Sequence, residues 1–188
     1  MITVMFFEFW GYTCYMAGEL LIRLFADVAV IPVILIGAWA LLFKVPKKER
    51  YEAYCRVLLA GLTAYMIAKF AGMIYQPEAM RPFEILGVDP GALYLNNPGF
   101  PSDHALFVTA ITCAVWFETR MKRTSLVLAV LVLLICAGRV LALVHTPLDV
   151  LGGVGIALIG ALWYSNVPRK QEVHGHGKGH SKRAERRR

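Results

Sequence analysis

Apolar residues fall in long blocks separated by short polar segments, and the blocks approach the ~20 residues that a helix needs to cross a bilayer. They cover residues 20–43, 52–75, 103–118, 124–144 and 148–167. Between them lie 44–51, which is basic, 76–102, which is long and contains Pro and Gly, 119–123, again basic, and the very short 145–147. Short loops rich in Lys and Arg mark the cytoplasmic face, so 44–51, 119–123 and the C-terminal tail are expected inside, and 76–102 and 145–147 outside. The pattern predicts an all-α fold, a polytopic transmembrane helical bundle of five spans. Residues 1–17 carry Glu8 among Phe6, Phe7, Phe9, Trp10, Tyr12 and Tyr15. That composition suits an outer interfacial helix better than a cleavable signal peptide, and a sixth span arises only if this segment crosses.

Within the spans, Pro32 is expected to kink the first helix. Gly153, Ala157 and Ala161, four apart in the last span, form a small-residue stripe that lets a neighbouring helix approach closely.

Composition narrows the class further. The 188 residues are 57% apolar and only 18% charged, with a mean hydropathy of +0.54, against about 45–50% and about 25% in soluble domains. A disordered chain, a disulfide-stapled secreted domain and a nucleic-acid binder all fit poorly. The net charge of +7 comes from 20 Lys and Arg that concentrate in 44–50, 120–123 and 169–188. Residues 1–168 therefore read as one membrane-embedded domain. Residues 169–188, with His174, His176 and His180 among Gly, Lys and Arg, read as a disordered cytoplasmic tail suited to anionic inner-leaflet lipid. Cys14, Cys55, Cys113 and Cys136 sit singly in apolar stretches, as small core residues do.

Ionisable groups inside spans are costly and mark function by default. Lys69 lies shortly before the outer end of the second span and Arg139 shortly before that of the fourth. In the segment G-R-V-L-A-L-V-H-T-P-L-D at 138–149, Thr146 before Pro147 reads as a helix N-cap, which puts Asp149 in the first turn and within reach of His145. A carboxylate on one imidazole nitrogen fixes the tautomer and raises the basicity of the other. In G-F-P-S-D-H-A at 99–105, Ser102 is placed to cap the third span, whose free N–H groups favour a phosphate-like anion, with His104 in the same turn. Arg81 is the single basic residue of 76–102. Three cations, a helix N-terminus and two histidines at one membrane face make a composition for phosphoryl transfer. No cluster of carboxylates or cysteines suggests a metal, and neither metal nor cofactor is expected.

Lys69 with Arg81-Pro82, Pro101-Ser102-Asp103-His104, and Arg139 with His145 and Asp149 together resemble the three-part signature of the type 2 phosphatidic acid phosphatase superfamily, membrane branch. The resemblance implies that His145 attacks phosphorus with Asp149 orienting it, and that a phosphohistidine forms. It implies His104 as proton donor to the leaving oxygen, and Lys69, Arg81, Ser102, Asp103 and Arg139 as the phosphate-binding group. Three positions depart from the family pattern. Eleven residues rather than six separate Lys69 from Arg81, Asp103 replaces the usual Gly, and Gly138 replaces a Ser that often precedes the third-motif Arg. Asp103 also resembles bacterial undecaprenyl diphosphate phosphatases of the superfamily.

An outward-facing site at the edge of the cytoplasmic membrane suits a lipid phosphate substrate, and carrier-lipid recycling from undecaprenyl diphosphate to undecaprenyl phosphate is the first expectation. Phosphatidylglycerol phosphate, phosphatidic acid, diacylglycerol diphosphate and lipid A phosphate are the alternatives. A non-catalytic protein binding anionic lipid is a rival of another class. A vanadium haloperoxidase uses a related constellation but fits five lipid-length spans badly.

Overall fold

The computed structural model describes residues 16–75, 81–95, 97 and 99–165. The expectations for residues 1–15 and for the tail lie outside these. Every regular element among the described residues is helical. Helix α1 runs Met16–Lys44, α2 Arg50–Ile74, α3 Pro82–Leu86, α4 Asp103–Glu118, α5 Lys122–Leu141 and α6 Pro147–Tyr164, its last turn Ala161–Tyr164 wound as a 3-10 helix.

Helices α1, α2, α5 and α6 are long and apolar enough to cross a membrane. They are apolar on nearly every side, and large side chains such as Leu35, Leu58, Leu133 and Leu151 stand exposed. In water such surfaces would aggregate, whereas lipid tails solvate them. The protein is therefore a multi-pass membrane protein. The remaining expected span, α4, has only 16 residues, about 24 Å against a hydrocarbon core of ~30 Å. It packs against α1, α2, α5 and α6, so the chain leading into it, with Gly99, Pro101 and Ser102 all buried, sinks below the helix ends. Irregular backbone at that depth is tolerated where protein surrounds it.

Small residues set the packing. A Cβ on Gly153 of α6 would stand 2.6 Å from the Ser102 carbonyl oxygen and 3.1 Å from the Ala105 Cβ, so the expected stripe seats α6 against the entry to α4. On the other side, a Cβ on Gly138 of α5 would meet the Ala26 nitrogen of α1 at 2.7 Å. Just before Pro32, where a kink was expected, α1 winds as a π-helical turn, Leu24–Val28. There the Ala29 N–H donates to the Leu24 carbonyl at 2.9 Å, a five-residue step that widens the helix where Pro32 supplies no N–H to Val28.

The opposite ends of α2 and α4 are joined by a partly buried ion pair. Arg56 Nε and Nη2 donate to the two Glu118 carboxylate oxygens at 2.7 and 2.8 Å, a bidentate geometry that locks the register of the two helices.

Candidate active site

The turn between α5 and α6 is built by local chemistry. Leu143 adopts φ 60°, a conformation costly for a branched side chain, and it is held by Phe83, whose N–H donates to the Leu143 carbonyl at 3.1 Å. Thr146 then caps α6 as expected. Asp149 N–H donates to Thr146 Oγ1 at 3.2 Å, and Thr146 N–H to Asp149 Oδ2 at 2.8 Å, with Pro147 in the first turn. That reciprocal box fixes the Asp149 carboxylate before it meets any other group. His145 Nδ1 lies 3.6 Å from the same Oδ2. This is an ion-pair distance, too long for a hydrogen bond, and His145 Nδ1 is buried without a hydrogen-bond partner among the described residues. Burial pushes the His145 imidazole below its ordinary pKa, Asp149 opposes the fall, and Arg139 and Arg81 add to it.

Arg81 opens the short helix α3 within the outer segment 76–102. Its main-chain N–H donates to Glu84 Oε2 at 2.7 Å. Its guanidinium is largely committed to the scaffold: Nη1 donates to the Val144 carbonyl at 2.6 Å, and Nη2 to the Leu95 carbonyl at 2.8 Å and to Asn97 Oδ1 at 2.7 Å. Arg81 thus ties the outer loop to the residue preceding His145. Burial lowers its pKa, with Asp149 and Glu84 pulling the other way. Gly99, at φ +88°, lies against this group: a Cβ there would stand 3.8 Å from Arg81 Cζ and 4.0 Å from Asp149 Oδ2. The left-handed backbone favours glycine here, and it brings the main chain close to both a guanidinium and a carboxylate.

Ser102 occupies the N-cap position of α4, but its hydroxyl does not cap the helix. Its N–H instead donates to the Asp149 carbonyl at 2.9 Å, and its Oγ is buried with no partner among the described residues. The backbone bond to α6 sets the position of Ser102 and turns the hydroxyl from the cap. His104, in the first turn of α4, lies within electrostatic range of Arg139, Asp27, His145 and Asp103.

Lys69 is half exposed, with its ammonium 3.6 Å from Asp103 Oδ1 and 5.2 Å from the centre of the Tyr65 ring. The residue that replaces the family's Gly therefore faces the first-motif Lys with a counter-charge.

Arg139 is 1% exposed, which removes snorkelling to the headgroups as its role. Its Nη1 donates to Asp27 Oδ1 at 2.9 Å and to the Leu93 carbonyl at 2.7 Å. Its Nε is buried and unpartnered among the described residues. Asp27, on the π-helical turn of α1, was not among the residues singled out from sequence, although a carboxylate inside an apolar span is itself a signal. Asn97 was also missed, and nothing in its loop sequence distinguishes it. Among the described residues no group of three His, Cys, Asp or Glu is placed to hold a metal ion.

Compared with known proteins, residues 53–172 match the family model of the PAP2 superfamily. No curated protein and no solved structure matches the chain. The matched region holds every motif residue from Lys69 to Asp149, and α1 with Asp27 precedes it. Because the match takes in more than half of the chain, the protein belongs to the PAP2 superfamily.

Proposed function

We propose that the protein hydrolyses a phosphate or diphosphate monoester of a lipid at the outer face of the cytoplasmic membrane, without a metal, through a phosphohistidine. Its first substrate is undecaprenyl diphosphate, converted to undecaprenyl phosphate. The observation that supports this most is the approach of His145 to Asp149, 3.6 Å apart, with the Arg81 guanidinium and the Asp149 carboxylate both close to Gly99. Since Nδ1 faces the carboxylate, Nε2 is the nitrogen free to attack.

In the first step Nε2 bonds to phosphorus, the bond to the leaving oxygen breaks, and His104 gives that oxygen a proton. In the second, His104 takes a proton from water, whose oxygen attacks phosphorus and releases inorganic phosphate from Nε2. Arg139, through its free Nε edge, and the N–H groups at the start of α4 would hold the equatorial oxygens. The family acts on phosphorylated substrates. A lipid substrate is favoured by an apolar groove of about 430 Å³ lined by Ile67, Phe70, Ile74, Tyr75, Phe100 and Leu148. Leu148 adjoins Asp149, and Phe100 lies two residues from Ser102, so the groove is lined by residues next to the motif residues in sequence.

The test is phosphate release by purified protein in one detergent with EDTA present, across prenyl diphosphates, glycerophospholipid phosphates and lipid A. Release from undecaprenyl diphosphate above the others is expected. Preference for another lipid would replace the substrate, activity abolished by EDTA and restored by zinc would contradict the metal-free route, and full release by His145→Ala would contradict the whole proposal.

A further inference from the structure

We infer that Asp27 of α1 is a positioning residue for phosphate binding and that it acts through Arg139; the inference rests on the proposed phosphatase site. A guanidinium can meet a tetrahedral anion along its Nε–Nη2 edge by two parallel N–H donors. In this protein the third nitrogen, Nη1, is pinned away from that edge by Asp27 Oδ1 at 2.9 Å and by the Leu93 carbonyl at 2.7 Å. Asp27 Oδ2 in turn accepts the Leu93 N–H at 2.9 Å. Asp27, Leu93 and Arg139 thereby close one ring of hydrogen bonds across α1, the outer loop and α5. The Nε left over is buried and unpartnered among the described residues, a state that is costly unless a ligand fills it.

The local structure has the marks of a device that sets a direction. The π-helical turn Leu24–Val28 carries Asp27, and Gly138, next to Arg139, admits α1 at a distance a side chain would forbid. A carboxylate there compensates the buried charge of Arg139 and, by taking Nη1, leaves the bidentate edge to the substrate. Asp27 does not need to touch the phosphate. Its effect is on orientation, and a misplacement of about 1 Å at such a group can cost roughly 100-fold in rate.

The experiment compares wild type, Asp27→Ala, Asp27→Asn and Arg139→Lys, with Asp27→Ala also placed in the Arg139→Lys background, all in detergent below their unfolding temperatures. The readouts are kcat and KM for the lipid phosphate that wild type hydrolyses best, and the inhibition constant of vanadate, a phosphate-shaped anion. Asp27→Ala is expected to weaken vanadate inhibition and kcat/KM by roughly 10- to 100-fold. Asp27→Asn, which keeps one acceptor, should fall between it and wild type, and it carries the comparison if Asp27→Ala does not fold. In the Arg139→Lys background Asp27→Ala should add less than about threefold, because its route of action is already gone. Unchanged vanadate inhibition in an active Asp27 variant overturns the inference alone. An equal loss in both backgrounds also overturns it, since Asp27 would then act on the fold at large. A wild type that neither hydrolyses lipid phosphates nor is inhibited by vanadate overturns the phosphatase proposal and this inference together.

Discussion

Asp149 and His145 meet one turn apart at 3.6 Å, while the same carboxylate oxygen accepts the Thr146 N–H at 2.8 Å. The carboxylate is thus anchored by the helix cap, and it offers His145 a fixed charge rather than a mobile one. The two duties separate by substitution. Asp149→Asn keeps an oxygen for Thr146 and loses the charge, whereas Asp149→Ala loses both. Both variants should be slow enzymes, but only Asp149→Ala should lose cap stability, about 1 kcal/mol, measured as a lower Tm in the same detergent.

The imidazole of His145 is pushed below its ordinary pKa by burial, with Asp149 acting in the opposite sense. Only the neutral ring can attack phosphorus, so activity is present above the folded-state pKa and lost as the pH falls through it. The acidic limb of kcat/KM should therefore have its midpoint below the ordinary value of about 6.5. In Asp149→Asn, which lacks a group that raises the pKa, the limb should move to still lower pH. A limb above the ordinary histidine value would contradict this assignment.

Arg81 satisfies the Val144 and Leu95 carbonyls and the Asn97 side chain at once. A lysine has one ammonium and cannot span them. Arg81→Lys should consequently lower both Tm and kcat, leaving at least the buried Val144 carbonyl unpaired at about 1–3 kcal/mol, with a loss of stability that a purely phosphate-binding residue would not show.

Restoring the common family residue by Gly138→Ser should harm this protein. The new Cβ would stand 2.7 Å from the Ala26 nitrogen, which is backbone and cannot step aside. Overpacking of this kind costs about 1–3 kcal/mol, and it would push α1, with Asp27, away from Arg139. Thermal unfolding and vanadate inhibition, measured side by side, should both weaken.

The bundle was legible because lipid imposes long apolar blocks, and the block limits agree with the helices to within a few residues. Thr146, Pro147 and Asp149 were legible because capping is decided within one turn. Helix α3 was hidden although Arg81, Pro82 and Glu84 carry its start signal, since only five residues follow and a search for spans passes over them. The hydroxyl of Ser102 was misread because its fate depends on a backbone bond to Asp149, which no local pattern contains. The sequence marked Arg81 as a candidate, but its commitment to carbonyls was not legible, because any sequence supplies carbonyls. Asp27 escaped for a different reason. It lies in α1, outside the three motifs, and its partner Arg139 comes 112 positions later, so only the folded packing pairs them.

The central claim is that His145 carries the phosphoryl group. Rapid quenching of purified protein with terminally labelled undecaprenyl diphosphate, followed by peptide mapping, measures it directly. The account predicts a label that is stable to base, labile to acid and located on the peptide containing His145, absent in His145→Ala and accumulating in His104→Ala if its loss slows hydrolysis more than attack. Turnover of the same substrate with no labelled protein, or with the label on another residue, would contradict it.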